Sequence, residues 1–303
     1  MYLNYQNDKN NKNNNLTIRK RNAMEKQNTL KNSASCSGIA LHTGERAQAR
    51  ITPAPENTGI VFKRIDLPDK PEVTATASNV VDVRRGTTIA SGKACVYTVE
   101  HLLASLHALN IDNAIVEMDG MELPIGDGSA LPYLEMIKEA GIEKQEAEAA
   151  FITAKEPIIV EEGDTKLVFV PADKLKITCI IAYGATPLDA QYFSEEITPE
   201  LFSDGIAPAR TFCLFKELEQ LLAMGLVKGG SLDNAAVLHN GAIICKDGLR
   251  YPNELVRHKV LDIIGDIFLT GARVKGHIIA VKPGHPINVR LATKLLENAN
   301  KMQ

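Results

Sequence analysis

The sequence lacks the features that would place it in a membrane, outside the cell or on nucleic acid. No apolar run approaches the ~20 residues needed to cross a bilayer. The first residues contain no apolar stretch of the kind a secretory signal carries. Net charge is only −3 over 303 residues, so no basic face for a polynucleotide is expected. The five cysteines, Cys36, Cys95, Cys179, Cys213 and Cys245, are odd in number and scattered, and none falls in a C-x-x-C pair. That disfavours a disulfide framework and a zinc–cysteine site, and it fits a reducing cytoplasm. Residues 1–27 are rich in Asn and Lys and too poor in apolar side chains to fold, so a disordered tail is expected there. Met24 is a candidate true start, and a basic arm for an acidic partner is the alternative.

What is present is enough apolar sequence, 45% of the chain, for one large domain or two ordinary ones. Ala47–Pro53 and Gly59–Asp66 read as strands joined by a Pro-Glu-Asn-Thr turn. Apolar Val99, Leu102, Leu103, Leu106 and Leu109 have helical spacing, with Thr98 available as N-cap. A strand at Asn113–Met118, a Gly-Asp-Gly-Ser turn and a helix at Ala130–Ala140 follow. Gly141–Ala149 is charged and has no apolar period, which marks it as a linker between an N-terminal domain over 28–145 and a C-terminal domain over 150–303. Phe151–Val160, Lys166–Pro171 and Lys174–Ala182 read as strands. Leu214–Met224 reads as a helix ended by Gly225. Asn240-Gly241 marks a hairpin. A helix follows Pro252-Asn253, then a strand at Lys275–Val281 and a last helix from about Asn288. Both halves end alike, with a helix bearing a histidine near its start, a strand, a turn with Pro and Gly, and another helix. This weak repeat predicts two similar α+β domains with a cleft between them, a favoured place for ligands.

Several side chains could do chemistry there. His258 and Asp262 lie four apart on one helical face, where an imidazole and a carboxylate can hold one metal ion or simply bond to each other. Asp262 sits between Leu261 and Ile263 and needs a partner or a cation. Glu100 and His101 point ~100° apart, so one could bind metal while the other reaches a water; alone the pair is a weak signal, and a capped, solvent-facing first turn is the more ordinary reading. His107 faces solvent or packs. His285 follows a glycine and precedes a proline, which places its ring exposed in a turn, at the position corresponding to Asp127 in the first half. His277 lies in a strand and receives no role. Lys228 and Ser231 sit in a glycine-rich loop that is either a phosphate contact or a flexible turn.

Together and in order, LHTGE (41–45), TVEHLLASLHAL (98–109), LPIGDGSA (123–130), ARTFC (209–213), GLVKGGSLDNA (225–235), LRYPNELVRHKVLDIIGD (249–266) and PGH (283–285) resemble the UDP-3-O-acyl-N-acetylglucosamine deacetylases, zinc enzymes of lipid A synthesis. The resemblance runs from about Thr29 to Lys301. It implies an α+β fold of two similar domains, each with helices on a mostly antiparallel sheet, the helix layers sandwiched between the two sheets. One small insert per domain is implied, near Ser78–Tyr97 and Ile206–Ala235, with Ile206, Phe212, Leu218 and Val227 as candidates for an acyl passage. It also implies one zinc ion per chain, or Fe2+, on His101, His258 and Asp262, with a coordination position left open as catalytic sites require. Glu100 is then the general base and Thr211 an oxyanion donor. His285 is the general acid, Asp266 its partner, and Lys259 an added positive charge. The implied partner is the UDP-3-O-acyl-N-acetylglucosamine substrate, and a monomer is expected. The alternatives are a zinc amidohydrolase for another N-acetyl sugar nucleotide, or a non-catalytic metal-stabilised scaffold.

Overall fold

Two five-stranded sheets with one shared connectivity organise the computed structural model, which describes residues 25–183 and 190–301. The first runs β2 (Ala34–Ile39), β3 (Arg46–Pro53), β9 (Ala114–Met118), β4 (Ile60–Arg64), β5 (Glu72–Thr74). The second runs β12 (Ile158–Glu162), β13 (Thr165–Val170), β20 (Gly276–Val281), β14 (Leu175–Ala182), β15 (Ala190–Glu196). In each, the last strand in chain order enters between two hairpins, antiparallel to the second strand and parallel to the third. The weak repeat of the sequence is therefore a repeat of topology. It also explains why Ala47–Pro53 and Gly59–Asp66, though joined by a short turn, are not neighbours: β9 lies between them.

After its fourth strand each half carries a small three-stranded sheet. The first is β6 (Val80–Asp82), β7 (Thr88–Ser91) and β8 (Ala94–Val96). Each half then closes with helix, strand and helix, and α1 (Glu100–Ala108) and α2 (Leu131–Ala140) are those helices in the first half. In the second half a short turn, α3 (Pro199–Leu201), precedes β16 (Phe212–Leu214), α4 (Phe215–Ala223), β17 (Ala236–His239) and β18 (Ala242–Ile244). This insert runs on to Ile244, past the expected end at Ala235. The hairpin at Asn240-Gly241 forms, with both residues at positive φ (49° and 75°), as a two-residue turn between twisted strands requires. The closing helices are α5 (Glu254–Ile267) and α6 (His285–Lys301).

Four expectations are corrected. Gly141–Ala149 is not a linker: Ile142–Glu148 forms β10, paired antiparallel with β1 (Lys26–Leu30). The ribbon is largely exposed on β10, so nothing demands an apolar alternation there. Strand β1 also begins inside the segment expected to be a tail; residues 1–24 lie outside those described. Phe151–Val160 divides into β11 (Phe151–Ile152), parallel to β19 (Arg273–Val274), and β12, with Pro157 between them. The last helix begins at His285 rather than near Asn288. A proline in the first turn is compatible with a helix, because its missing N–H has no intrahelical acceptor there.

All nine residues of α1 are buried, and α5 is buried along most of its length. Helices covered all round belong to an inner layer, here between the two sheets. Two apolar clusters result. One joins Ile51, Phe62 and Val116 to Leu102, Leu103 and Leu106; the other joins Phe169, Ile177 and Ile278 to Val260, Ile263 and Ile267. Each borrows from the other half: Phe268 and Val289 enter the first, Ala104 and Leu134 the second. Helices α1 and α5 meet at Gly265, where a Cβ would stand 2.1 Å from the Glu100 carbonyl oxygen. Gly265→Ala is expected to destabilise the protein by about 1–3 kcal/mol through overpacking, read as a lower denaturant midpoint with unchanged slope. An unchanged midpoint would show that the helices separate freely. Among the described residues, no helix is long and apolar enough to cross a membrane.

Candidate metal centre and active site

The contact between α1 and α5 brings three donor side chains to one buried point. His258 and Asp262 are one turn apart on α5, with Nε2 3.5 Å from Asp262 Oδ1. His101, in the first turn of α1, places its Nε2 4.0 Å from the same oxygen. One candidate ligand atom from each residue lies within 4.8 Å of the other two. A simple His–Asp hydrogen bond does not describe the pair, because Asp262 Oδ1 has no hydrogen-bond partner among the described residues. His258 instead uses Nδ1–H to donate to the Ala209 carbonyl at 3.0 Å, which leaves the lone pair on Nε2. His101 Nδ1 is likewise buried without a partner among the described residues. Orphaned polar atoms are costly to bury unless a ligand takes them up.

The local electrostatics suit a cation. Burial, reinforced by His258, pushes the His101 pKa down to about 3, and burial also lowers that of His258, so both rings stay neutral. Burial alone would raise the Asp262 carboxyl. Lys259, with Nζ 2.6 Å from Oδ2, and the protonated His285 nearby outweigh it and hold Asp262 ionised, well below the usual carboxylate range. Two neutral imidazoles and a carboxylate fit a catalytic metal site with one position open.

Beside this cluster stand a second carboxylate and a third histidine. Glu100 is buried, not solvent-facing, and its Oε2 accepts the Thr87 N–H at 3.0 Å. Helix α1 has no side-chain N-cap; the Thr98 hydroxyl, the expected cap, donates to Glu122 at 3.1 Å instead. Glu122 also accepts the N–H groups of His42 and Thr43 at 2.8 Å each, so it ties the LHTGE turn to the start of α1. Burial raises the Glu100 pKa to about 7, against the charge of His285 and with that of Asp266 and Asp262. His285 is not exposed in a turn but buried in the first turn of α6. Its Nδ1–H donates to Asp266 Oδ2 at 2.9 Å, and its Nε2 lies 3.9 Å from Glu100 and 4.0 Å from Asp262. Burial would lower its pKa, but Asp266, Asp262 and Glu100 raise it to about 9. Asp266 accepts two further bonds, from the Thr87 hydroxyl at 2.6 Å and from Asn288 Nδ2 at 2.9 Å. A carboxylate and an imidazole pushed apart in this way are the pattern of a base and an acid. Thr87 and Asn288 were not singled out from the sequence. Neither carries a local signal, since both matter only through residues distant in the chain.

A cavity of about 510 Å³ opens over these groups, walled by both inserts. The Arg85 guanidinium, from the first, pairs with Glu217, from the second, at 2.6 Å. Thr211 lines the cavity, its backbone held by bonds to Gly128 and Ala236 at 2.8 and 2.9 Å. The preceding Arg210 forms a buried ion pair with Glu254 at 2.8 Å, which fixes this segment to the start of α5. Phe212 lines the cavity, with Lys259 Nζ 5.7 Å from its ring centre. The other candidates for substrate contact lie elsewhere. Ile206 is wholly buried in the core. Helix α4 faces the cavity with Glu217, Gln220 and Leu221, joined by Met224 at its C-cap, and Leu218 is about 100° off that face. Val227, Lys228 and Ser231 are not on the wall. Their loop clamps the LHTGE turn, with the N–H groups of Lys228 and Gly229 donating to His42 and Leu41 at 3.3 and 3.0 Å. Gly229 is needed there, because a Cβ would stand 2.2 Å from the Ala40 carbonyl oxygen. Asp127, the expected counterpart of His285, pairs with Arg250 at 2.7 Å and with Ser129. His107 packs, stacked on Phe268 at 4.6 Å, and His277 bonds Thr178 within the second sheet.

A family model described as UDP-3-O-acyl N-acetylglycosamine deacetylase matches residues 27–297. The chain belongs to this family. It is 43% identical over 271 residues to a UDP-3-O-acyl-N-acetylglucosamine deacetylase of Citrifermentans bemidjiense, covering 89% of each chain. It is 42% identical over 272 residues to one from Chlamydia abortus, covering 89% of this chain and 97% of that one. A third, from Myxococcus xanthus, is 41% identical over 272 residues, with coverage of 90% and 87%. Deacetylation hydrolyses an amide, and a buried donor cluster flanked by a carboxylate and an imidazole is suited to that chemistry.

Proposed function

We propose that this chain hydrolyses the acetamide of UDP-3-O-acyl-N-acetylglucosamine to acetate and UDP-3-O-acyl-glucosamine, the deacetylation step of lipid A synthesis, with one zinc ion held by His101, His258 and Asp262. The convergence of those three donors with Glu100 and His285 at one buried point carries the reading. Zinc there supplies Lewis acidity, lowering the pKa of water and polarising a carbonyl; Fe2+ accepts the same donor set. Glu100 takes the proton from the attacking water as the new C–O bond forms. The Thr211 hydroxyl donates to the oxyanion that develops on the substrate carbonyl. An amine leaves poorly unless protonated, so the His285 Nε2–H delivers a proton to nitrogen as the C–N bond breaks. Asp266 holds the opposite face of the ring, which fixes Nε2 toward the cavity. Lys259 keeps Asp262 ionised and adds positive charge near the oxyanion. Phe212 and Leu221 offer apolar wall to the acyl chain.

The deciding assay is acetate release from this substrate by the purified protein. Release is expected to stop on chelation and to return with added zinc. A folded, zinc-loaded protein that releases no acetate would overturn the substrate assignment.

A further inference from the structure

Thr87 is fully buried in the turn between β6 and β7, and each of its hydrogen-bonding groups is turned toward the site. Its N–H donates to Glu100 Oε2 at 3.0 Å. Its carbonyl accepts the N–H of Val99, the residue before Glu100, at 3.3 Å. Its hydroxyl donates to Asp266 Oδ1 at 2.6 Å, across 179 residues of chain, and stands 3.3 Å from His285 Nδ1. Glycine at position 86 leaves room for this arrangement, since a Cβ there would come within 3.2 Å of Glu100 Oε1.

We infer that Thr87 is a positioning residue that couples the base of the first domain to the acid of the second, and that seating the first insert thereby completes the site. The inference rests on the deacetylase reading above. A buried carboxylate is free to turn about its terminal bond unless both oxygens are held. On Asp266, His285 and Asn288 hold Oδ2, and Thr87 alone among the described hydrogen bonds holds Oδ1. Without that hydroxyl, Asp266 can rotate and take the His285 ring with it. The backbone bond to Glu100 persists in any variant, so the hydroxyl can be tested separately.

Thr87→Val removes the hydroxyl at nearly constant shape, and Thr87→Ser retains it. For Thr87→Val, kcat should fall about 10–100-fold, the scale of a lost supporting hydrogen bond or a small misplacement. KM and zinc content should stay as in wild type, and Thr87→Ser should keep most of the activity. A wild-type kcat in Thr87→Val would overturn the inference. So would equal impairment of both variants, which would mean that packing matters and not the hydroxyl. A second readout needs no substrate: the downfield Nδ1–H proton resonance of His285, assigned by its loss in His285→Ala. It should be sharp in wild type and Thr87→Ser and broadened by exchange in Thr87→Val; an unchanged resonance in Thr87→Val counts against the inference. If the wild-type protein releases no acetate, the substrate reading fails, and the resonance still decides whether Thr87 holds the Asp266–His285 pair.

Discussion

Glu100→Gln should lower turnover by about 10²–10⁴-fold, the usual range for losing a general base, with the metal retained. The substitution is nearly isosteric, and the amide oxygen can still accept the Thr87 N–H. His101 next to it is untouched, so the donor cluster stays whole. What is lost is the ability to take a proton. The pH profile provides the more specific check. In the proposed mechanism Glu100 acts as carboxylate, so wild-type kcat should rise with pH through a limb set by its pKa of about 7. A bound cation favours the carboxylate and moves that limb lower. In the same mechanism His285 acts in its protonated form, so kcat should fall as pH rises through about 9. Glu100→Gln should abolish the acid limb and keep the alkaline one, moved to lower pH because the Glu100 charge no longer supports protonated His285. Loss of zinc from the variant would make Glu100 a ligand instead, and full activity would remove it from the chemistry.

Asp262→Asn should abolish metal binding and reduce turnover by about 10³-fold or more, the scale of several kcal/mol of lost Lewis-acid stabilisation. An amide is neutral and a far weaker donor than the carboxylate. The same change strands Lys259, whose Nζ lies 2.6 Å from Asp262 Oδ2 with only 15% of its side chain exposed. Breaking a buried pair at one end is expected to cost about 3–5 kcal/mol. Measured on metal-free proteins, the loss should be visible in the denaturation midpoint. Adding Lys259→Met should recover much of the stability without restoring the metal, because it removes the unpaired charge and supplies no donor. Wild-type zinc affinity in Asp262→Asn would exclude this carboxylate from the site.

The helix register of α5 was legible because it is local. His258 and Asp262 share a face through spacing alone, whatever surrounds the helix. The same holds for the apolar stripe of α1 and the Asn-Gly hairpin, each set by residues a few positions apart. Other features resisted. Strand β10 has a polar surface and pairs with a segment more than a hundred residues earlier, so its own pattern carries no signal. His285 looked exposed because Gly and Pro flank it; its burial depends on α6 packing over Asp266. The candidate acyl contacts on the second insert were chosen for apolarity, and apolarity does not distinguish the core around Ile206 from the cavity wall at Leu221.

By itself the sequence determined the main helices, several core strands, the donor types and, through motifs in a fixed order, the family. Only the tertiary structure decided that His101 meets His258 and Asp262, that Glu100 faces His285, and that Thr87 reaches both Glu100 and Asp266. The physical reason is the range of the forces involved. Helical period and turn chemistry are fixed by neighbours along the chain. Burial, orphaned polar atoms and shifted pKa values arise only once distant segments exclude water from the same point.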